Sequence, residues 1–147
     1  EQNNDLGICE IANDNSDGQI ILSGHKKAID TINTTLKKIK KRSIFLPVSA
    51  PFHCKLMSSA TKIMEEEISN LEFKSPKVDI ISNVTSEPVN EISEIKKLLI
   101  SQIEKPVRWR EIINYMINKN INKFIEIKFY LYHQIIDYFH FLSRLVT

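Results

Sequence analysis

His53 stands in the run Leu46-Pro47-Val48-Ser49-Ala50-Pro51-Phe52-His53-Cys54. Two prolines fix φ within it, so the segment reads as a stiffened exit from a strand, with a helix starting soon after. The carboxyl end of a strand is where open α/β sheets gather their ligands. Imidazole is also the side chain best suited to taking and returning a proton near neutrality. On the residues alone two readings stand: a catalytic base, and a hydrogen-bonded structural histidine, which the bare sequence favours. Cys54 is next in the chain, but neighbouring side chains of an extended segment point to opposite faces. A Cys54–His53 nucleophile pair is therefore not expected.

Other chemistries are poorly served. His25, His53, His133, His140, Cys9 and Cys54 share no metal-ligand spacing, and HExxH is absent, so no metal is expected. A serine-hydrolase elbow needs Gly-x-Ser-x-Gly because the strained turn leaves no room beside the nucleophile. The chain's three glycines, Gly7, Gly18 and Gly24, cannot form that motif or a phosphate-binding glycine loop. After Gly24 the usual residue for positive φ is missing altogether. The net charge of +2 is too small to suggest nucleic acid. The local exception is the cluster Lys37, Lys38, Lys40, Lys41 and Arg42, which as a sequence feature is either a solvated helix end or a docking edge. No apolar run approaches the ~20 residues of a membrane span, and no charged-then-apolar leader opens the chain. Cys9 and Cys54 fall in unrelated segments, which suggests free thiols and a reducing, cytoplasmic setting. The first methionine is Met57, so a start upstream of Glu1 is expected.

The elements that must position these residues follow from apolar spacing. Residues 6–12 and 19–23 read as strands around a polar turn at 13–18. Ile29, Ile32, Leu36 and Ile39 stripe a helix over 26–39, and 43–48 reads as a third strand. Met57, Ala60, Met64 and Ile68 predict a helix over 56–70 with Glu65, Glu66 and Glu67 outward. A strand at 78–82 follows. Ile92, Ile95, Leu99 and Ile103 mark a helix capped by Asn90 and stopped by Pro106. Trp109, Ile112, Ile113, Met116 and Ile117 mark another, and 124–127 reads as a buried strand. Alternating helix and strand over 56–127 predicts a parallel α/β sheet. Residues 128–147 hold six of the chain's twelve aromatics (Phe129, Tyr130, Tyr132, Tyr138, Phe139, Phe141) without one clean helical face.

Four blocks then carry a family resemblance. They are Asn13-Asp14-Asn15-Ser16 leading into Gly18-Gln19-Ile20-Ile21-Leu22-Ser23-Gly24-His25-Lys26; Leu46 through His53; Ile81-Ser82-Asn83-Val84; and Gln102 through Pro106-Val107-Arg108-Trp109. Together they resemble the malonyl-CoA:acyl carrier protein transacylases, in family order and spacing over about residues 7–127. Such enzymes move malonyl from coenzyme A to the carrier protein's thiol in fatty acid biosynthesis, through a serine acyl-enzyme formed at a GHSxG elbow. The resemblance makes His53 the general base of both half-reactions. It makes Gln102 the residue whose backbone carbonyl orients the imidazole, as a carboxylate does in a hydrolase triad. Asn13 and Asn15 match residues lining the cleft near the thioester, though asparagines in a turn fit them equally. Phe52 resembles the bulky neighbour of malonyl-selective members. Lys41, with Arg42, matches a basic position meeting the acidic carrier protein. Malonyl-CoA and acyl carrier protein are the implied partners, and no cofactor is implied.

The fold implied is α/β: a partial acyltransferase fold. Residues 1–48 would be an incomplete ferredoxin-like small subdomain, and 49–127 the carboxyl-terminal part of an α/β-hydrolase-like parallel-sheet domain. Residues 128–147 would be an aberrant tail, since after Phe124-Ile125-Glu126-Ile127 the family's Gly-Pro-Gly-Lys is replaced by Lys128-Phe129-Tyr130-Leu131. The family's GQGSQ segment, its GHSxG serine and its malonate-binding arginine have no counterpart here. The expectation is thus a fragment, the product of a decayed or split gene, inactive alone. The competing reading is a non-catalytic module that binds acyl carrier protein or a complementing subunit.

Overall fold

The computed structural model describes residues 6–125. Strands β1 (Cys9–Ser16) and β2 (Gln19–Gly24) form an antiparallel hairpin, followed by helix α1 (Lys26–Lys38). A 3-10 turn at Lys55–Met57 leads into α2 (Ser58–Asn70). Short strands β3 (Ile80–Ile81) and β4 (Pro88–Val89) pair antiparallel, and helices α3 (Ile92–Ser101) and α4 (Trp109–Asn118) follow. α1 packs on β2, α2 on α3, and α4 on β1.

Of the polar stretch expected as a turn, Asp17-Gly18 makes it, and residues 13–16 are instead the second half of β1. Asn13, Asp14 and Ser16 pair with Ile21, Ile20 and Gln19, and two irregularities interrupt the register. Such bulges break the inward–outward alternation, so the consecutive residues Ala12 and Asn13 are both buried, as is Asn15. β1 also serves the chain from its other edge. The Val107 N–H donates to the Ala12 carbonyl at 2.8 Å and the Asp14 N–H to the Val107 carbonyl at 2.9 Å. Arg110 of α4 then closes on Asp14 Oδ2 through Nε (3.1 Å) and an Nη (2.6 Å).

Each interior helix buries a residue of its predicted stripe: Ile68 in α2, Ile95 in α3 and Ile112 in α4. In α1 the buried residue is Ala28, and Ile39 is exposed. Lys96 of α3 donates to the carbonyls of Ser69 (3.1 Å) and Leu71 (2.7 Å), a cation on the unpaired carbonyls at the end of α2.

Several expectations are corrected. Residues 43–48 lie exposed and unpaired rather than in a strand. Among the described residues no strand pairs with them, and Pro47 has no N–H to offer one. Among the described residues no parallel sheet forms, because 80–81 find a partner across a short turn in 88–89 and parallel pairing is confined to the single Asn13–Val107 bridge. Asn90 is not the cap of α3. Glu91 takes that position, and the Asn90 amide bonds Asp79 at 3.2 Å. Residues 124–125 are not in a strand. The rest of that expected strand and the 128–147 tail, with His133 and His140, lie outside the described residues.

The shortage of glycine did not prevent positive φ. Lys40, His53, Ser86 and Asn120 all adopt it, at 55–61°. Lys40 and Asn120 each close a helix in a Schellman turn. The Lys41 N–H reaches the Leu36 carbonyl (2.9 Å) and the Lys40 N–H that of Lys37 (3.1 Å). Ile121 reaches Met116 (3.0 Å) and Asn120 reaches Ile117 (2.9 Å) in the same way.

Candidate functional site

Two segments meet at His53, and a third is tied to both of them. The first is its own loop, which runs from the exposed Phe52 through the half-buried His53 to the fully buried Cys54. The second is the end of α3. Gln102 is its C-cap, and its carbonyl is among those that a helix end leaves without an intrahelical donor. His53 Nδ1 lies 2.8 Å from that oxygen. A carbonyl can only accept, so the ring donates from Nδ1, and in the neutral imidazole the lone pair stands on Nε2. A base with that tautomer can take a proton on the ring's far side while the near side keeps it aligned.

The Gln102 side chain contributes as well. Its Oε1 accepts from Asn83 Nδ2 at 3.2 Å, and the Asn83 carbonyl accepts the Arg108 N–H at 3.2 Å. Arg108 in turn donates to the carbonyls of Val84 (3.2 Å) and Thr85 (3.0 Å) and pairs with Glu111. That carboxylate holds the guanidinium's pKa above its ordinary value, and Arg108 holds the carboxyl's below. Asn83 and Arg108 had no role assigned from sequence. Their presence in the matching blocks is the signal that could have found them.

The third segment is β1. Asn13 is 3% and Asn15 6% exposed, and Asn15 Oδ1 has no hydrogen-bond partner among the described residues. Glu10 ties β1 to the histidine loop. Its Oε2 accepts the Lys55 N–H at 2.8 Å, and Oε1 lies 3.4 Å from Lys55 Nζ. The Lys55 N–H chiefly lowers the carboxyl's pKa below the ordinary value, opposed by partial burial and helped by Cys54 and the Lys55 ammonium. Both cysteines are free thiols whose pKa is raised chiefly by burial, and Cys54 adds to the rise at Cys9. Thus β1 holds the His53 loop through Glu10 and the stretch beyond Gln102 through Val107. Lys41 and Arg42 lie exposed beyond the end of α1, an element that carries none of these groups.

No protein-family model matches the chain. The malonyl CoA-acyl carrier protein transacylase of Bacillus subtilis is 38% identical over 121 residues, 82% of this chain and 38% of that protein. Among solved structures, the acyl-carrier-protein S-malonyltransferase of Bartonella henselae matches with a TM-score of 0.74 and 39% identity, over 78% of this chain and 37% of that one. A malonyl-transacylase solved in complex with its type II PKS acyl-carrier protein matches with a TM-score of 0.75 and 29% identity, over 78% and 38%. The chain therefore spans somewhat over a third of the length of the relatives it matches.

Proposed function

We propose that this chain, a homologue of the malonyl CoA-acyl carrier protein transacylases over 82% of its length, supplies the general-base half of a malonyl-transfer site. The observation that carries the reading is the 2.8 Å contact between His53 Nδ1 and the Gln102 carbonyl. It leaves Nε2 free to accept a proton. In the reaction the homology implies, a serine hydroxyl attacks the malonyl thioester as His53 takes its proton, and His53 returns that proton to the sulfur of the departing coenzyme A. The neutral His53 then deprotonates the carrier protein's thiol, which attacks the acyl-serine, and the same proton goes back to the serine oxygen as it leaves. Asn13, Asn15 and Phe52 line the acyl side of the cleft. Residues 1–48 and 49–127 belong to a smaller and a larger unit of the acyltransferase fold. The serine and the malonate-binding arginine must come from residues other than these. Without the nucleophile the covalent step is removed outright, so the chain alone is inert.

Purified chain is incubated with radiolabelled malonyl-CoA and holo carrier protein, with and without a polypeptide bearing the GHSxG region of a relative. Transfer is expected only in the mixture, and to fall about 10²-fold or more in His53→Asn. Asparagine is the right replacement because it tolerates the left-handed backbone at this position. His53-dependent turnover by the chain alone would sink the half-site reading.

A second reading rests on the exposed cations Lys37, Lys38, Lys40, Lys41 and Arg42: a non-catalytic surface that docks acyl carrier protein. It predicts binding that weakens with salt and is lost on reversing the charges of Lys41 and Arg42. A salt-independent titration removes it.

A further inference from the structure

The backbone of His53 has φ +55°, a region non-glycine residues seldom occupy. Such a backbone is strained and persists only where its surroundings over-determine it. On one side the Gln102 carbonyl holds the ring. On the other, Cys54 is extended and fully buried, and the 3-10 turn Lys55–Met57 begins at once. The first N–H groups of a helix lack intrahelical acceptors, and a local Ser, Thr, Asp or Asn usually supplies one. Here the N-cap is Cys54, with no side-chain cap bond. The acceptor comes from 45 residues away, as Glu10 Oε2 at 2.8 Å from the Lys55 N–H. An anion at a helix start is also favoured by the backbone dipoles.

We infer that Glu10 is a positioning residue for His53. Its carboxylate caps the turn two residues beyond the histidine, locks the left-handed backbone from the side opposite Gln102, and so keeps Nδ1 on the Gln102 carbonyl. The importance of that geometry rests on the reading of His53 as a base, but the geometry is measured without any transfer assay. Failure of malonyl transfer would leave this inference standing, and failure of this inference would leave the transfer result standing.

The test is nitrogen-15 NMR of histidine-labelled protein at about pH 8, where imidazoles are neutral, with amide exchange recorded at Lys55. Wild type should show His53 as the Nδ1–H tautomer. Glu10→Ala should speed Lys55 exchange about tenfold and mix the His53 tautomers, while Glu10→Gln, which keeps an acceptor of the same reach, restores most of the Nδ1–H form. Lys55→Ala keeps the N–H and should leave His53 unchanged. Faster Lys55 exchange with an unchanged His53 tautomer would overturn the inference, as would a Lys55→Ala variant that reproduces the Glu10→Ala spectrum. Should Glu10→Ala not fold, Glu10→Gln decides. Its smaller effects on exchange and tautomer must move together, and exchange moving alone counts against the role.

Discussion

At the scale of single residues, the two histidines among the described residues use the same ring nitrogen in opposite senses. His53 Nδ1 faces a carbonyl and must donate, whereas His25 Nδ1 accepts the Ile8 N–H at 2.8 Å. Neutral His53 is therefore expected as the Nδ1–H tautomer and neutral His25 as Nε2–H. Long-range nitrogen-15 spectra separate the two patterns, and identical patterns would contradict the geometry. Glu10 also has a consequence for acid stability. Its carboxyl is held below the ordinary value of 4.5, chiefly by the Lys55 N–H, with Cys54 and the Lys55 ammonium facing it. A depressed carboxyl binds fewer protons folded than unfolded. Its stabilisation is thus complete above the unfolded pKa and is lost as pH falls through the folded one. Urea melts from about pH 6 to pH 3 should show Glu10→Gln losing less stability on acidification than wild type. Glu111, lowered by Arg108, still contributes in both proteins. Equal acid slopes would remove Glu10 from the linkage.

Elements are closed by two devices that can be tested separately. The end of α1 places Lys40 in the left-handed region at φ 56°, a position glycine fills without steric cost. Its side chain is exposed, so Lys40→Gly removes little packing and should stabilise the chain by about 0.5–1 kcal/mol, read as a raised denaturation midpoint with an unchanged slope. The hairpin behaves in the opposite sense. A Cβ at Gly24 would lie 2.2 Å from the Ile8 carbonyl oxygen and 2.7 Å from the Cys9 Cα. These are backbone atoms that cannot swing aside. The close approach also lets the His25 N–H reach the Ile8 carbonyl at 2.8 Å. Gly24→Ala should cost about 1–3 kcal/mol and lower the midpoint. A neutral result would mean that β1 and β2 can separate there without loss.

At the scale of the molecule, burial among the described residues is thin. Their buried apolar residues are Ala12, Ala28, Cys54, Ile68, Val89, Ile95 and Ile112, two of them alanines. Larger apolar side chains stand in water along 39–52, at Ile39, Ile44, Phe45, Leu46, Val48 and Phe52. Strand-competent backbone at 43–48 beside exposed Ile and Phe is the pattern that templates association. The isolated chain is therefore expected to self-associate as its concentration rises and to bind a hydrophobic dye. A polypeptide carrying the rest of the transacylase fold should suppress both. Light scattering across a dilution series checks this, and a monodisperse monomer with a reversible, cooperative melt would contradict it.

Local order was legible because it depends on residues a few positions apart. The three-to-four spacing that placed helices over 56–70, 92–103 and 109–117 is the spacing by which Ile68, Ile95 and Ile112 reach the interior. The same reading missed the second half of β1. Asn13-Asp14-Asn15-Ser16 has the composition of a turn, and only pairing with 19–21 and with Val107 turns it into buried strand. It placed a strand at 43–48 because strand propensity is local, while a ladder needs a neighbour that propensity does not reveal. His53 could be singled out from its type and its proline-stiffened setting, and Gln102 only through the family resemblance. Their approach to 2.8 Å across 49 positions, the left-handed backbone at His53, and the Glu10 cap 45 positions from Lys55 belong to the tertiary structure. Each is a cost or a hydrogen bond settled between distant segments, and no window of the sequence contains both partners.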